Sequence, residues 1–170
     1  FATKQLQINI SRVFSVKQSN RYHIVKQVKT SLQDNFPKYI VRTDIRSFYE
    51  SIPQQRLLKL INENPILSSK TKELISKIFY SFNELSNQLI LPSNERKGVP
   101  RGIGVSAYLA ELYLREIDFE INKLPGIYYF ARFVDDIIIF FNPESIDTCV
   151  DHLSEIRKII ESFGLELKDG

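Results

Sequence analysis

The chain reads as an α+β protein with an antiparallel sheet of ferredoxin-like βαββαβ order and helices on one face. Three observations predict it. Apolar segments rich in β-branched and aromatic residues recur at 38–45, 127–134 and 137–141, as strands require. Long stretches with apolar residues at helical spacing fill the gap between the first two and follow the third. The second and third segments are separated by only Asp135 and Asp136, a hairpin connection.

The elements follow in order. Residues 21–33 carry Ile24, Val25, Val28 and Leu32 at helical spacing. Residues 38–45 (KYIVRTDI) read as a buried strand. Pro53 suits the first turn of a helix through Leu57, Leu58, Leu60 and Ile61. Leu74, Ile75, Ile78, Phe79, Phe82 and Leu85 mark another helix. Residues 86–104, with Pro92, Gly98, Pro100, Gly102 and Gly104, read as a loop. A helix over about 105–123 carries Leu109, Leu112, Tyr113, Ile117 and Ile121. After the hairpin, Pro143 opens a helix with Ile146, Val150, Leu153, Ile156 and Ile160 on one face, and 164–170 begins a last strand. No internal repeat or low-complexity linker interrupts the pattern. Residues 1–35 form a basic, helical segment ahead of a main body over 36–170.

A chain of 170 residues, 43% hydrophobic, can bury the core of one domain. A single cysteine, Cys149, excludes an internal disulfide. No apolar run nears the ~18 residues of a membrane span and no signal-peptide pattern opens the chain, so a cytoplasmic protein without a membrane partner is expected. The chain begins at Phe1 and contains no methionine, which reads as a piece of a longer protein. Charge is uneven. Residues 1–43 hold eight Lys/Arg against one acid, Asp34, a balance of +7 that leaves −4 for the remainder of a +3 chain. A basic segment beside an acidic site suits an enzyme that handles a polyanion. A solvated helix face is the simpler alternative.

The chemistry collects at the aspartates. Asp135 and Asp136 lie within FVDDIIIFF, where adjacent carboxylates repel each other and resist desolvation. A cation against them would relieve both costs, and oxygen ligands without His or Cys select Mg²⁺ or Mn²⁺ over zinc. A plain hairpin turn is the alternative, although favoured two-residue turns want a glycine that Asp-Asp lacks. Asp44 ends the 38–45 strand. If that strand lies beside the hairpin, three carboxylates converge in the manner of a two-metal phosphoryl-transfer site, with ions ~3.5–4 Å apart.

Three segments carry a resemblance. TDIRSFYESI at 43–52 has a strand, an aspartate, an aliphatic residue and an aromatic five places on. GVPRGIGVSAYLAELYLREID at 98–118 follows a Gly-x-Pro-Gln-Gly, Ser, Leu-Ala, Leu, Asp pattern without a gap. FARFVDDIIIF at 130–140 has the aromatic-x-Asp-Asp hairpin. In this order and spacing they resemble the palm of reverse transcriptases, of the bacterial type related to group II intron, retron and abortive-infection or phage-defence enzymes. The resemblance covers about 36–140, with part of the fingers ahead of it and the chain ending before a thumb.

The resemblance implies an RNA-directed DNA polymerase of right-hand palm fold. It would add dNTPs to a primer 3′-OH on an RNA template, in antiphage defence or a retroelement, and an associated non-coding RNA is a further partner of such enzymes. Asp44 and Asp135 would ligate two Mg²⁺ ions, with Mn²⁺ as substitute. Asp136 would support the site, and the Ile45 carbonyl would add a ligand. Tyr49 would crowd the sugar 2′ position and reject ribonucleotides. Gly98, Pro100 and Gly102 would shape a loop near template and incoming base. Ser106 would cap the following helix, with its hydroxyl near the template. Arg132 would steady a carboxylate or a primer phosphate, unless it is an exposed strand arginine. Charge and position make Lys17 and Arg21 candidates for gripping the triphosphate. Arg101 stands where the family has Gln, and Ala107 where Pro often follows the Ser. Both alter the expected template grip and fit the divergent bacterial members. Three rivals remain: an untemplated or protein-primed DNA polymerase, an RNA-dependent RNA polymerase, which Tyr49 opposes, and an inactive nucleic-acid-binding palm.

Overall fold

The computed structural model describes residues 2–143 and 151–168. Cys149, and the part of the expected helix that carries Ile146 and Val150, lie outside the described residues, as do Asp169 and Gly170. The elements are α1 (Ala2–Phe14), α2 (Arg21–Gln33), β1 (Tyr39–Asp44), α3 (Phe48–Ser51), α4 (Gln54–Glu63), α5 (Ser69–Leu85), α6 (Gly104–Ile121), β2 (Ile127–Phe133), β3 (Asp136–Phe141) and α7 (His152–Ser162), with a 3₁₀ turn at Gln88–Ile90. They divide into two compact units. One is Phe1–Gln18 with Ser47–Arg115; the other is Ser19–Arg46 with Glu116–Gly170.

The first unit is helical. Leu6, Ile10 and Phe14 recur every fourth residue and bury one face of α1. Asn9 on α1 donates to the Thr71 hydroxyl at 2.9 Å. Ser68 caps α5 by accepting from the Thr71 N–H. Pro53 stands one place before α4 as its cap residue, and Leu57 and Ile61 are its buried positions. Val105, Leu109, Leu112 and Tyr113 of α6 are almost fully buried. Such a helix, apolar nearly all round, belongs in a core.

The second unit carries the antiparallel sheet, in the order β1-β3-β2. At the outer edge of β1, Ile45 bridges Leu167, with Arg46 donating to the Glu166 carbonyl and Lys168 to the Asp44 carbonyl, each at 2.8 Å. The expected last strand therefore begins beside β1, as the ferredoxin-like order requires. Paired residues share a sheet face. Tyr39, Val41 and Thr43 join Phe141, Ile139 and Ile137 on one face. Ile40, Arg42 and Asp44 join Phe140, Ile138 and Asp136 on the other. His152 of α7 stacks on Phe141, with ring centroids 3.9 Å apart.

Two expectations change. β1 is not a buried strand: Tyr39 and Ile40 are exposed, and burial begins only at Ile45, after its end. Among the described residues, its outer neighbour reaches no further back along β1 than Asp44. α2 has its predicted bounds and an Asn20 cap, yet none of its residues is buried. It lies against β2 over a cavity instead of sealing the apolar residues away. No helix among the described residues is long and apolar enough to cross a membrane.

Candidate active site

The hairpin turn sits one residue earlier than the sequence suggested. β2 ends at Phe133 and β3 starts at Asp136, so the two loop residues are Val134 and Asp135. Val134 takes φ +57, a left-handed conformation that a β-branched side chain resists. Tight hairpins need positive φ because it matches strand twist. The consequence is a division between the two aspartates. Asp135 belongs to the turn, and its carbonyl accepts the Ile45 N–H at 3.1 Å. Asp136 belongs to the strand and stands directly opposite Asp44.

Arg132 explains how the turn is held. Its guanidinium grips Asp118 through two hydrogen bonds of 2.8 Å and donates to the Val134 carbonyl at 2.9 Å. Its side chain is 5% exposed. Arg132 is therefore not an exposed strand arginine. It steadies a carboxylate, that of Asp118, the last residue of the 98–118 segment, and ties this residue to the hairpin. The sequence does not reveal this pairing, although Asp118 is the last residue of the 98–118 pattern.

Arg42 was also missed. It lies two residues before Asp44, hence on the same face of β1. It pairs with Asp136 through Nε–Oδ1 and Nη2–Oδ2, each 3.2 Å. Hydrogen bonding to Asp136 and the carboxylate's charge raise the Arg42 pKa above its ordinary value. A cavity of about 310 Å³ opens here, lined by Arg42, Thr43, Asp44, Asp136, Leu153, Arg157 and Lys168. A second, of about 330 Å³, lies between α2 and the sheet, and brings Arg21 and Lys29 to the wall that also carries Arg42 and Asp136. Arg21 rests over the Phe133 ring, 5.8 Å from its centroid. Among the described residues, no group of three or more His, Cys, Asp or Glu gathers as a metal cage. What the strands supply is oxygen chemistry. Two opposed carboxylates beside the Asp135 turn fit a hard divalent cation, with Arg42 as the present counter-charge of one of them.

The remaining predicted residues lie in the helical unit. Tyr49 is half-buried beside the buried Phe48, with ring centroids 5.3 Å apart. Arg101 stands over the Tyr49 ring and pairs with Glu50. Gly98 has φ +91, and a Cβ there would come within 3.2 Å of the Glu50 carbonyl. Its close neighbour is thus this chain's own backbone. Gly102 has φ +82 with open space around it, so conformation alone calls for glycine there. Ser106 lies inside α6, not before it. Its hydroxyl donates to the Pro100 carbonyl, and it is buried rather than capping the helix. Lys17 is exposed.

A family model described as reverse transcriptase (RNA-dependent DNA polymerase) matches residues 2–170 of the chain. No curated protein matches it.

Proposed function

The chain belongs to the reverse transcriptase family, and from that premise we propose that it extends a primer 3′-OH with dNTPs on an RNA template, with Asp44, Asp135 and Asp136 as its catalytic carboxylates. The family acts as RNA-directed DNA polymerases, with a nucleic-acid template and dNTPs as substrates, and generally uses divalent metal ions. The observation that carries the residue assignment is the register of β1 against β3, which sets Asp44 opposite Asp136 on one sheet face next to the Asp135 turn.

In this reading residues 36–170 are the palm and 1–35 part of the fingers. Asp44, Asp135 and Asp136 would hold two Mg²⁺ ions, with the Ile45 carbonyl as an added ligand. Bound Mg²⁺ would lower the pKa of the attacking hydroxyl and neutralise charge on the phosphates. The protein's own residues do the rest. Asp136, now paired with Arg42, would be one of the carboxylates that hold the cation. Arg21, Lys29 and Arg42, which share one cavity wall with Asp136, attract the triphosphate or the primer backbone. Tyr49 crowds the sugar 2′ position and excludes ribonucleotides. Arg101 and Ala107 support membership of the divergent bacterial branch, where antiphage defence and retroelement roles both occur.

The test is incorporation of labelled dNTP with Mg²⁺, with and without a primed RNA template, beside an Asp135→Asn, Asp136→Asn double variant. Template-directed synthesis that disappears in the variant is expected. Synthesis independent of template would replace the reading with an untemplated polymerase. Binding of nucleic acid without variant-sensitive synthesis would replace it with an inactive palm. Tyr49→Ala should admit ribonucleotides, and unchanged exclusion would refute the gate.

A further inference from the structure

Arg101 departs from the family's glutamine, and its surroundings supply a use for the charge. Its guanidinium carbon lies 5.6 Å from the Tyr49 ring centroid, a distance at which a cation is attracted to a ring face. Its Nη2 sits 2.5 Å from a carboxylate oxygen of Glu50, the next residue along. The same ring packs on Phe48, which is 2% exposed and does not move readily. A neutral glutamine could make neither the cation–ring contact nor the ion pair.

The backbone beneath is fixed as well. The Val99 N–H donates to the Tyr49 carbonyl at 2.9 Å, and the Gly98 N–H to the Ile52 carbonyl at 2.8 Å. Gln54 Nε2 donates to the carbonyls of Gly98 and Lys97 at 3.0 and 3.1 Å. Gln54 is itself locked by a reciprocal amide pair with Asn83, each bond 2.8 Å. Glycine at 98 permits this close approach, because a Cβ would meet the Glu50 backbone. An exposed ion pair alone holds little. Here Glu50 anchors a guanidinium that already lies on the ring, above a backbone that is already bonded.

We propose that Arg101 is a positioning residue for sugar selection: it fixes the Tyr49 ring, with Glu50 as its anchor, so that the ring rejects ribonucleotides. The inference rests on the reading of Tyr49 as the sugar gate. It gives the family departure at 101 a specific role in place of a weakened template grip.

The experiment compares kcat/KM for a dNTP and the matching rNTP in the protein and in Arg101→Gln, Arg101→Lys, Glu50→Gln and Tyr49→Ala. Arg101→Gln should reduce discrimination by about 3- to 10-fold, chiefly through a lower KM for the rNTP. Arg101→Lys, which keeps the charge without the planar face, should recover part of it. Arg101→Gln on a Tyr49→Ala background should change discrimination no further. If Tyr49→Ala relaxes sugar choice while Arg101→Gln does not, the inference is overturned and the gate stands. If Tyr49→Ala leaves sugar choice intact, the gate reading falls and the inference with it. Should Arg101→Gln abolish incorporation of both nucleotides, Glu50→Gln decides, since it leaves the guanidinium and removes only its anchor: undiminished discrimination there overturns the inference.

Discussion

Val134 and Arg132 show how single residues shape the hairpin. A valine at φ +57 stores strain of roughly 1 kcal/mol or more, and Arg132 holds its carbonyl in place. Val134→Gly removes the Cβ that makes the conformation costly. It should leave stability unchanged or raise it by up to about 1 kcal/mol, since glycine's greater unfolded-state entropy offsets part of the gain. A melt showing clear destabilisation would refute the strain. Arg132→Met acts in the opposite direction. It strands the Asp118 carboxylate and the Val134 carbonyl together, and should cost about 2–4 kcal/mol in chemical denaturation. A loss below about 1 kcal/mol would mean that the pair does not support the turn.

At the scale of the element, α7 is capped by Asp151. Its carboxylate accepts from the Ser154 hydroxyl and, at 3.1 Å, from the Ser154 N–H. These bonds, the hydroxyl's first, lower its pKa below the usual carboxylate value. A depressed folded pKa favours the folded state above the ordinary carboxylate pKa of about 3.9, and the benefit disappears as pH falls through the lower folded value. Asp151→Ala should therefore melt earlier than the parent at neutral pH, and the two melting curves should converge as pH falls through that lowered value. A gap that persists in acid would assign the effect to packing instead. Helices were the more legible elements in the sequence. The 3.6-residue spacing marked α2, α4, α5 and α6 to within a few residues. The helical segment expected over 1–35 contains α1 without its bounds, which the same signal in Leu6, Ile10 and Phe14 marks. α3 has only four residues, too few for periodicity to register.

For the whole molecule, charge is the property that acts at a distance. The surplus of +7 over residues 1–43 would drive nucleic-acid binding through counterion release. Arg21 and Lys29 share a cavity wall with Asp136, which makes them the pair to test. If both meet phosphates, the Arg21→Gln, Lys29→Gln variant should lower the slope of log K against log salt by about 2 and weaken binding on all sequences alike. An unchanged slope would return these residues to a solvated helix face. The candidate site residues are divided between the two units. The three carboxylates are in the sheet unit, and Tyr49 with the Gly98–Ser106 loop is in the helical one.

The sequence by itself determined the family and the α+β class, and it singled out the three aspartates as candidates. These depend on local spacing and residue type, which survive without coordinates. Only the tertiary structure decided the register. A one-residue difference in where the turn falls moves every side chain of a strand to the other face. That difference makes Asp136, rather than Asp135, the residue facing Asp44, and it brings Arg42 onto that carboxylate. The partners of Arg132 and Arg101 were likewise beyond the sequence. Asp118 and Glu50 lie 14 and 51 residues away along the chain, and no periodicity links residues whose meeting depends on how the chain packs.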